Sequence, residues 1–371
     1  MSRANNSIYK LDLYDEASRQ LLLCNACRYC EGYCAVFPAI ERRISYDKGY
    51  IEYIANLCHD CRSCYPACPY IPPHEFSINI PMLLSSIRLE IYAKYTYPEK
   101  LSRIFFKRPL ASSLVVTLIS IAVMWLLAII VGDPSRIFQK HLYSGSFYTI
   151  FPHWTIVAGG LTLLIYITTI MVVSSVRYWR AINRNSSRSI TIGVIIGALW
   201  DAISHKYFRG GGAGCEYPGE FGGYRRLYMH LFLFLGFLLA TMATIVAAIY
   251  QEALGIMPPY DYLSLPVILG TSGGILITIG CFTLIYYKAR SARTLIERKM
   301  AELDRFMLLL IGLISLTGVV LLISRDTEYM GSLFITHMGL VLALFLLAPY
   351  SKLIHIPYRI LSLAKYRLET G

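Results

Sequence analysis

Residues 24–34 read CNACRYCEGYC and residues 58–69 read CHDCRSCYPACP, so the spacing C-x2-C-x2-C-x3-C occurs twice. Three cysteines at this spacing ligate one [4Fe-4S] cluster, and in two-cluster domains the fourth cysteine ligates the other cluster. The repeat therefore predicts a ferredoxin-like domain with two [4Fe-4S] clusters. The predicted ligands are Cys24, Cys27, Cys30 and Cys68 for the first cluster and Cys58, Cys61, Cys64 and Cys34 for the second.

Eight of the ten cysteines lie between Cys24 and Cys68. In a reducing compartment such crowding indicates metal ligation rather than disulfide bonds. Structural zinc and buried free thiols are the alternatives, although zinc usually uses two separated C-x2-C pairs. Pro69 directly follows the second motif, whereas Pro38 stands four residues after Cys34 in the first. That departure concerns the start of the following helix and leaves the expected number of clusters unchanged.

The rest of the chain is strongly apolar. Hydrophobic residues make up 56% of the 371 residues, above the roughly 45–50% of a typical soluble domain. Six apolar stretches are long enough to cross the roughly 30 Å hydrocarbon core of a bilayer. The predicted fold is therefore mainly α, a two-cluster ferredoxin-like domain followed by a six-helix transmembrane bundle. The spans lie near residues 110–132, 153–175, 228–250, 265–287, 306–324 and 332–350.

The net charge of +12 comes largely from Lys and Arg between the apolar stretches, in 176–227 and 288–305. Basic loops of this kind are typical of the cytoplasmic side of a membrane protein. We therefore expect a multi-pass protein of the cell membrane with both termini and the iron-sulfur domain in the cytoplasm, and no nucleic-acid partner. No apolar run follows Met1, so no cleavable export signal is expected. The expected divisions are a cluster domain at 1–75, a linker at 76–109, a haem-type membrane domain at 110–355 with its cytoplasmic loop 176–227, and a tail at 356–371.

Four histidines lie in or beside the predicted spans, where ionisable side chains are costly and therefore functional candidates. His337 and His355 are separated by 18 residues, about 27 Å along a helix axis. The predicted topology places His153 and His337 near the external face and His230 and His355 near the cytoplasmic face. These depths predict one or two b-type haems with bis-histidine ligation, one per pair. Interfacial histidines that bond to the backbone are the alternative.

The other polar features are weaker signals. Four cysteines complete each predicted cluster, so neighbouring or surface roles are expected for His59 and His74, and surface roles for His141 and His205. Residues 210–215 read GGGAGC, a segment that either lets a partner approach the backbone closely or is a flexible connector. No preceding strand and opening helix accompany these glycines, so a nucleotide site is not expected there.

With these residues noted, the chain resembles the tricarballylate utilisation protein B family, also called the citrate-utilisation protein B family. Besides the cysteine motifs, the resemblance is carried by residues 210–218 (GGGAGCEYP), Arg225-Arg226 before His230, residues 265–271 (LPVILGT) and the run 327–358. It implies an electron-transfer subunit of a dehydrogenase:quinone oxidoreductase complex. Such a subunit would reoxidise an FAD-containing dehydrogenase that acts on a tricarboxylic acid such as tricarballylate, and reduce membrane quinone.

The membrane part is also similar to the haem-bearing subunit of respiratory nitrate reductase, in which two histidines of one helix ligate two haems. One departure stands out, because the family commonly has a histidine pair after the double arginine and this chain has Met229-His230. Two rival functions remain at this stage. One is the same relay serving another dehydrogenase or a heterodisulfide-reductase-like complex; the other is an organic-acid transporter, which the cysteine motifs disfavour.

Overall fold

The computed structural model describes residues 12–184, 190–209 and 223–370, and the glycine-rich segment 210–215 lies outside these ranges. The described residues form helices and no strand, which confirms the mainly α prediction. In chain order the helices are α1 Leu13–Cys27, α2 Val36–Ile40, α3 Lys48–Leu57, α4 Cys64–Ala67, α5 Ile80–Tyr95, α6 Glu99–Lys107, α7 Pro109–Ile130, α8 His153–Ile182, α9 Ile192–Ile203, α10 Arg225–Glu252, α11 Leu265–Arg290, α12 Arg298–Ile323, α13 Met330–Leu347 and α14 His355–Thr370.

Six of these helices, α7, α8 and α10 to α13, are long and apolar enough to cross a membrane, as predicted. Several extend past the predicted limits. Helix α8 continues to Ile182 and α12 already begins at Arg298. The backbone hydrogen bonds of a helix do not depend on hydropathy, so a helix can project beyond the apolar stretch into the basic segments that flank it.

Helices α10 and α11 pack closely over much of their length. Gly236 of α10 lies against Gly273 of α11, and a Cβ added at Gly236 would be 2.7 Å from the carbonyl oxygen of Gly273. Small residues of this kind let helix backbones approach each other in a membrane. Helix α11 then packs on α12, and α12 on α13, which pairs with α7. Cys281 is fully buried between these helices and packs in their core.

The cysteine domain and one end of the bundle share a single core. At its centre Tyr178 of α8 stacks on Tyr358 of α14 with ring centroids 4.5 Å apart, and its hydroxyl donates to the carbonyl oxygen of Glu52 in α3. The Glu52 carboxylate is itself buried and accepts hydrogen bonds from Tyr14 at 3.0 Å and Tyr95 at 2.6 Å. The cluster domain is therefore fixed rigidly to the membrane helices rather than tethered to them.

Two features differ from the sequence-based expectations. The segment predicted as a loop at 176–227 contains the apolar helix α9, which docks on α14 through a bidentate ion pair between Asp201 and Arg367 at 2.6 and 2.8 Å. His141, for which a surface role was expected, is buried, and its ring nitrogens face the carbonyl oxygens of Ser146 and Arg136. Local hydrogen bonding to the backbone explains its burial.

Candidate functional site: two cysteine pockets and a histidine cluster

The first cysteine motif is shaped by the end of α1. Arg28 follows the helix in the left-handed conformation (φ 54°) and its N–H donates to the carbonyl oxygen of Cys24, so the chain turns sharply after Cys27. This turn, with Cys68 contributed by the second motif, forms one pocket. Its lining includes the four cysteines predicted for the first cluster, together with apolar and aromatic residues: Cys24, Cys27, Cys30, Cys68, Leu23, Tyr29, Phe37, Pro69, Tyr70 and Ile78.

The second motif turns through two left-handed residues, Asp60 (φ 57°) and Arg62 (φ 66°). The backbone N–H of Asp60 points at the Cys58 sulfur, 3.3 Å away. Backbone N–H groups in such alternating conformations form concave sites that suit phosphates and iron-sulfur clusters. A second pocket results, and it brings together the four cysteines predicted for the second cluster: Cys34, Cys58, Cys61 and Cys64.

The chemistry of the two pockets fits iron-sulfur clusters. Burial raises the pKa of the Cys24 thiol to about 12 and that of Cys30 to about 11, so thiolates form here only when bound cations compensate their charge. Within the described ranges, no three His, Cys, Asp or Glu side chains close around a single ion. The cysteines themselves, Cys27 excepted, are at least partly buried.

A cluster of aromatic rings connects the second pocket to the start of α10. His59, next to Cys58, stacks on Phe208 with ring centroids 5.2 Å apart. Phe208 in turn lies 6.4 Å from the His205 ring and 5.8 Å from the His230 ring. These rings form a continuous packed contact from a cysteine ligand position to a histidine in a membrane helix.

His205 and His230 are joined directly by a hydrogen bond of 3.0 Å between His205 Nε2 and His230 Nδ1. Burial lowers the pKa of His205, so its ring is neutral near pH 7. Its Nδ1 faces the carbonyl oxygen of Ile203 at 2.8 Å and must therefore donate, which leaves Nε2 as an acceptor. His230 consequently donates from Nδ1, and its Nε2 keeps a free lone pair.

His337 and His355 have the same arrangement. The Thr317 hydroxyl donates to backbone carbonyls one turn earlier and accepts from His337 Nδ1 at 2.9 Å. His355 Nδ1 donates to the Lys352 carbonyl oxygen at 2.5 Å, and burial lowers the pKa of His355 to about 4, so this ring is also neutral. A histidine whose Nδ1–H is held by such an acceptor offers Nε2 to a metal, the usual form of a ligating imidazole. The donor set therefore fits haem iron.

The predicted histidine pairs are not in direct contact in the described structure. His153 Nε2 lies 3.0 Å from the Glu252 carboxylate and its ring contacts Tyr148, whereas His337 is held by α12. His230 contacts His205, and His355 bonds to the Lys352 carbonyl oxygen. The expected surface role of His205 is wrong, because the His205 side chain is buried at the join between α9 and α10. His74, also expected to be near the clusters or exposed, packs against Tyr70 and Phe76.

Sequence reasoning missed the ring contacts of His59, Phe208 and His205. One feature of the sequence could have indicated these contacts. An apolar run ends at Ile203, just before His205, in a segment that was interpreted as a loop, and such a run predicts a packed helix. It also missed a cluster of charges in which the buried Asp304 of α12 is paired with Lys288 of α11 and lies 3.6 Å from Lys352.

A domain with two four-cysteine pockets, packed on six apolar helices, defines an iron-sulfur electron-transfer subunit with a multi-pass membrane part. The family models agree with this class. The chain belongs to the citrate utilization protein B family: residues 17–94 match the Fer4-like domain of citrate utilization protein B, and residues 107–371 match citrate utilization protein B itself.

A curated relative supports the same assignment. The chain is 38% identical over 355 residues to the citrate utilization protein B of Escherichia coli, a match that covers 95% of this chain and 92% of the relative. No solved structure matches the chain.

Proposed function

We propose that this chain reoxidises an FAD-containing dehydrogenase of the citrate or tricarballylate type and passes the electrons through two [4Fe-4S] clusters and b-type haem to membrane quinone. The observation that best supports this proposal is the continuous packing from the second cysteine pocket through His59 and Phe208 to His230. The clusters and haem would be the one-electron carriers, and the chain would hold them in sequence between the dehydrogenase and the quinone. The dehydrogenase supplies the chemistry on the organic acid.

The first pocket is the proposed entry point for electrons. Cys27 is the exposed cysteine of the eight, and its neighbours Arg28 and Tyr29 are exposed as well. Electron transfer between proteins requires a donor cofactor to come close to the acceptor, and exposure of a ligand permits that approach. The flavoprotein therefore docks over Cys27.

The proposed exit runs to an inner haem ligated by His230. His205 fixes the His230 tautomer, and His355, whose Nε2 is also free, is the proposed second ligand. A second haem would use His337 and His153, and His153 would exchange its contact with the Glu252 carboxylate for the haem iron. The cysteine domain, the basic segments and the proposed inner haem all lie at one end of the bundle, which supports a cytoplasmic location for that end.

The test is a count of iron and haem in the detergent-purified protein, combined with a reduced-minus-oxidised spectrum and a pyridine haemochrome assay. About eight cluster irons per chain and one or two b haems are expected. His230→Ala and His355→Ala should lose the same haem, while His74→Ala, a histidine outside the proposed path, should lose none. Stoichiometric zinc in place of iron, or haem loss that does not follow these pairs, would overturn the proposal.

A further inference from the structure

Guanidinium groups surround the second cysteine pocket. Three arginines from three different helices donate to three backbone carbonyls of one cysteine segment. Arg359 of α14 donates to the Leu57 carbonyl oxygen at 3.1 Å, Arg88 of α5 to that of Cys58 at 3.2 Å, and Arg226 of α10 to that of Cys61 at 3.0 Å. Arg62 lines the pocket itself.

One of these charges, that of Arg359, has no carboxylate partner among the described residues. Arg62, Arg88 and Arg226 are each less than 7% exposed, so water screens them weakly. The carboxylate among the residues that line this pocket is Asp60, which lies 3.6 Å from Arg62 and 3.5 Å from Arg88. Arg359 has a different partner, because its guanidinium donates to the His59 ring.

The first pocket has no comparable shell among the described residues. Its lining is apolar and aromatic and includes no charged side chain. Arg28, the nearest basic residue in the sequence, is exposed to solvent, where its charge is screened. The two cysteine pockets thus have the same ligand set and very different electrostatic surroundings.

We propose that the arginine shell gives the cluster of the second pocket a higher reduction potential than the cluster of the first, and so directs electrons from the exposed pocket toward the membrane. This inference rests on the proposed function. Reduction of a [4Fe-4S] cluster adds one electron and one negative charge, and nearby buried cations stabilise that charge. Burial alone would favour the opposite order, so the arginines determine the direction.

The test is an EPR-monitored redox titration of the purified full chain, with Arg359→Gln as the principal variant. Arg359 has no carboxylate partner in the described structure, so its neutralisation leaves no buried acid unpaired. The reduction potential of the second cluster should fall by about 59 mV, which is a tenfold change in the equilibrium constant of a one-electron couple. The reduction potential of the first cluster should not change. Arg359→Lys, which keeps the charge, should retain most of the wild-type potential. Arg42→Gln is the matched control, because exposed Arg42 also donates to a backbone carbonyl, that of Glu369.

Cys68→Ser and Cys34→Ser assign the two EPR signals to their pockets. If Arg359→Gln loses iron, Arg88→Gln provides the same measurement from another helix, because Arg62 remains beside Asp60 in that variant. Equal shifts of both clusters, no shift in either, or a wild-type protein whose first cluster has the higher potential would overturn the inference. Two clusters with unmoved potentials would contradict this inference alone, whereas the absence of two [4Fe-4S] signals would contradict the proposed function.

Discussion

Replacement of His205 removes the acceptor of the hydrogen bond that fixes His230. His205→Phe keeps a ring of similar size beside Phe208 and Phe234, whose centroids lie 6.4 and 5.7 Å from it, but it cannot accept from His230 Nδ1. A buried hydrogen-bond group left without its partner costs about 1–3 kcal/mol. Loss of such a partner behind a metal-ligating histidine typically lowers metal affinity about 10–100-fold, the same range of free energy. We therefore expect a 10–100-fold weaker affinity for one haem.

The assay is haem titration of the haem-depleted protein, followed by absorbance of the b-type bands. His205 has φ 50°, a left-handed conformation that Asn adopts more readily than Phe. His205→Asn therefore shows whether haem affinity falls because the imidazole acceptor is lost or because Phe strains the backbone. His141→Phe is the matched control, because His141 is equally buried but lies far from the cysteine pockets. Haem affinity unchanged in both His205 variants would refute the positioning role.

Three further outcomes are expected. Cys34→Ser should remove the EPR signal of the second cluster, although Cys34 belongs to the first motif, because its side chain lines the second pocket. Asp304→Asn should destabilise the protein by about 3 kcal/mol in a denaturant titration, because it leaves two partly buried lysines without their carboxylate. Gly236→Leu should lower the midpoint of thermal unfolding in detergent, because the added side chain meets the backbone of α11 at a cost of at least about 1–3 kcal/mol.

Each of these has its own control. Cys281→Ser, in the bundle core, should leave both cluster signals in place, and loss of the first signal in Cys34→Ser would contradict the pocket assignment. Asp326→Asn, an exposed carboxylate, should change stability little. Gly159→Leu places the same side chain in α8 where nothing lies within 4 Å of an added Cβ, so equal destabilisation by both glycine variants would refute the packing argument.

Much of the fold could be predicted because its signals are local. Hydropathy over some twenty residues indicates a membrane helix without knowledge of its neighbours, and all six spans were found in this way. The cysteine spacing likewise predicted two groups of four, and the two pockets contain those groups. Helix α9 was missed because its 12 residues are too few to span a bilayer and basic segments surround it.

The contacts of the histidines could not be predicted in the same way. The position of a histidine along its helix indicates how deep its ring lies in the membrane. It carries no information on the rotation of the helix about its axis, and therefore none on which neighbouring helix the ring contacts. His205 is 25 residues from His230, and Arg359 is 300 residues from His59, so both contacts depend on tertiary packing. The arginine shell has the same origin, because its members come from helices α5, α10 and α14.

The most direct test of the electron relay is stopped-flow absorbance of the b haem in membrane vesicles mixed with a reduced FAD-containing tricarballylate dehydrogenase. Wild-type vesicles should show rapid haem reduction, followed by reoxidation when a short-chain quinone is added. Cys58→Ala, which removes a ligand position of the second pocket, should abolish reduction by the flavoprotein, while dithionite still reduces the haem. Haem reduction by the flavoprotein at the wild-type rate in Cys58→Ala vesicles would contradict the proposed relay.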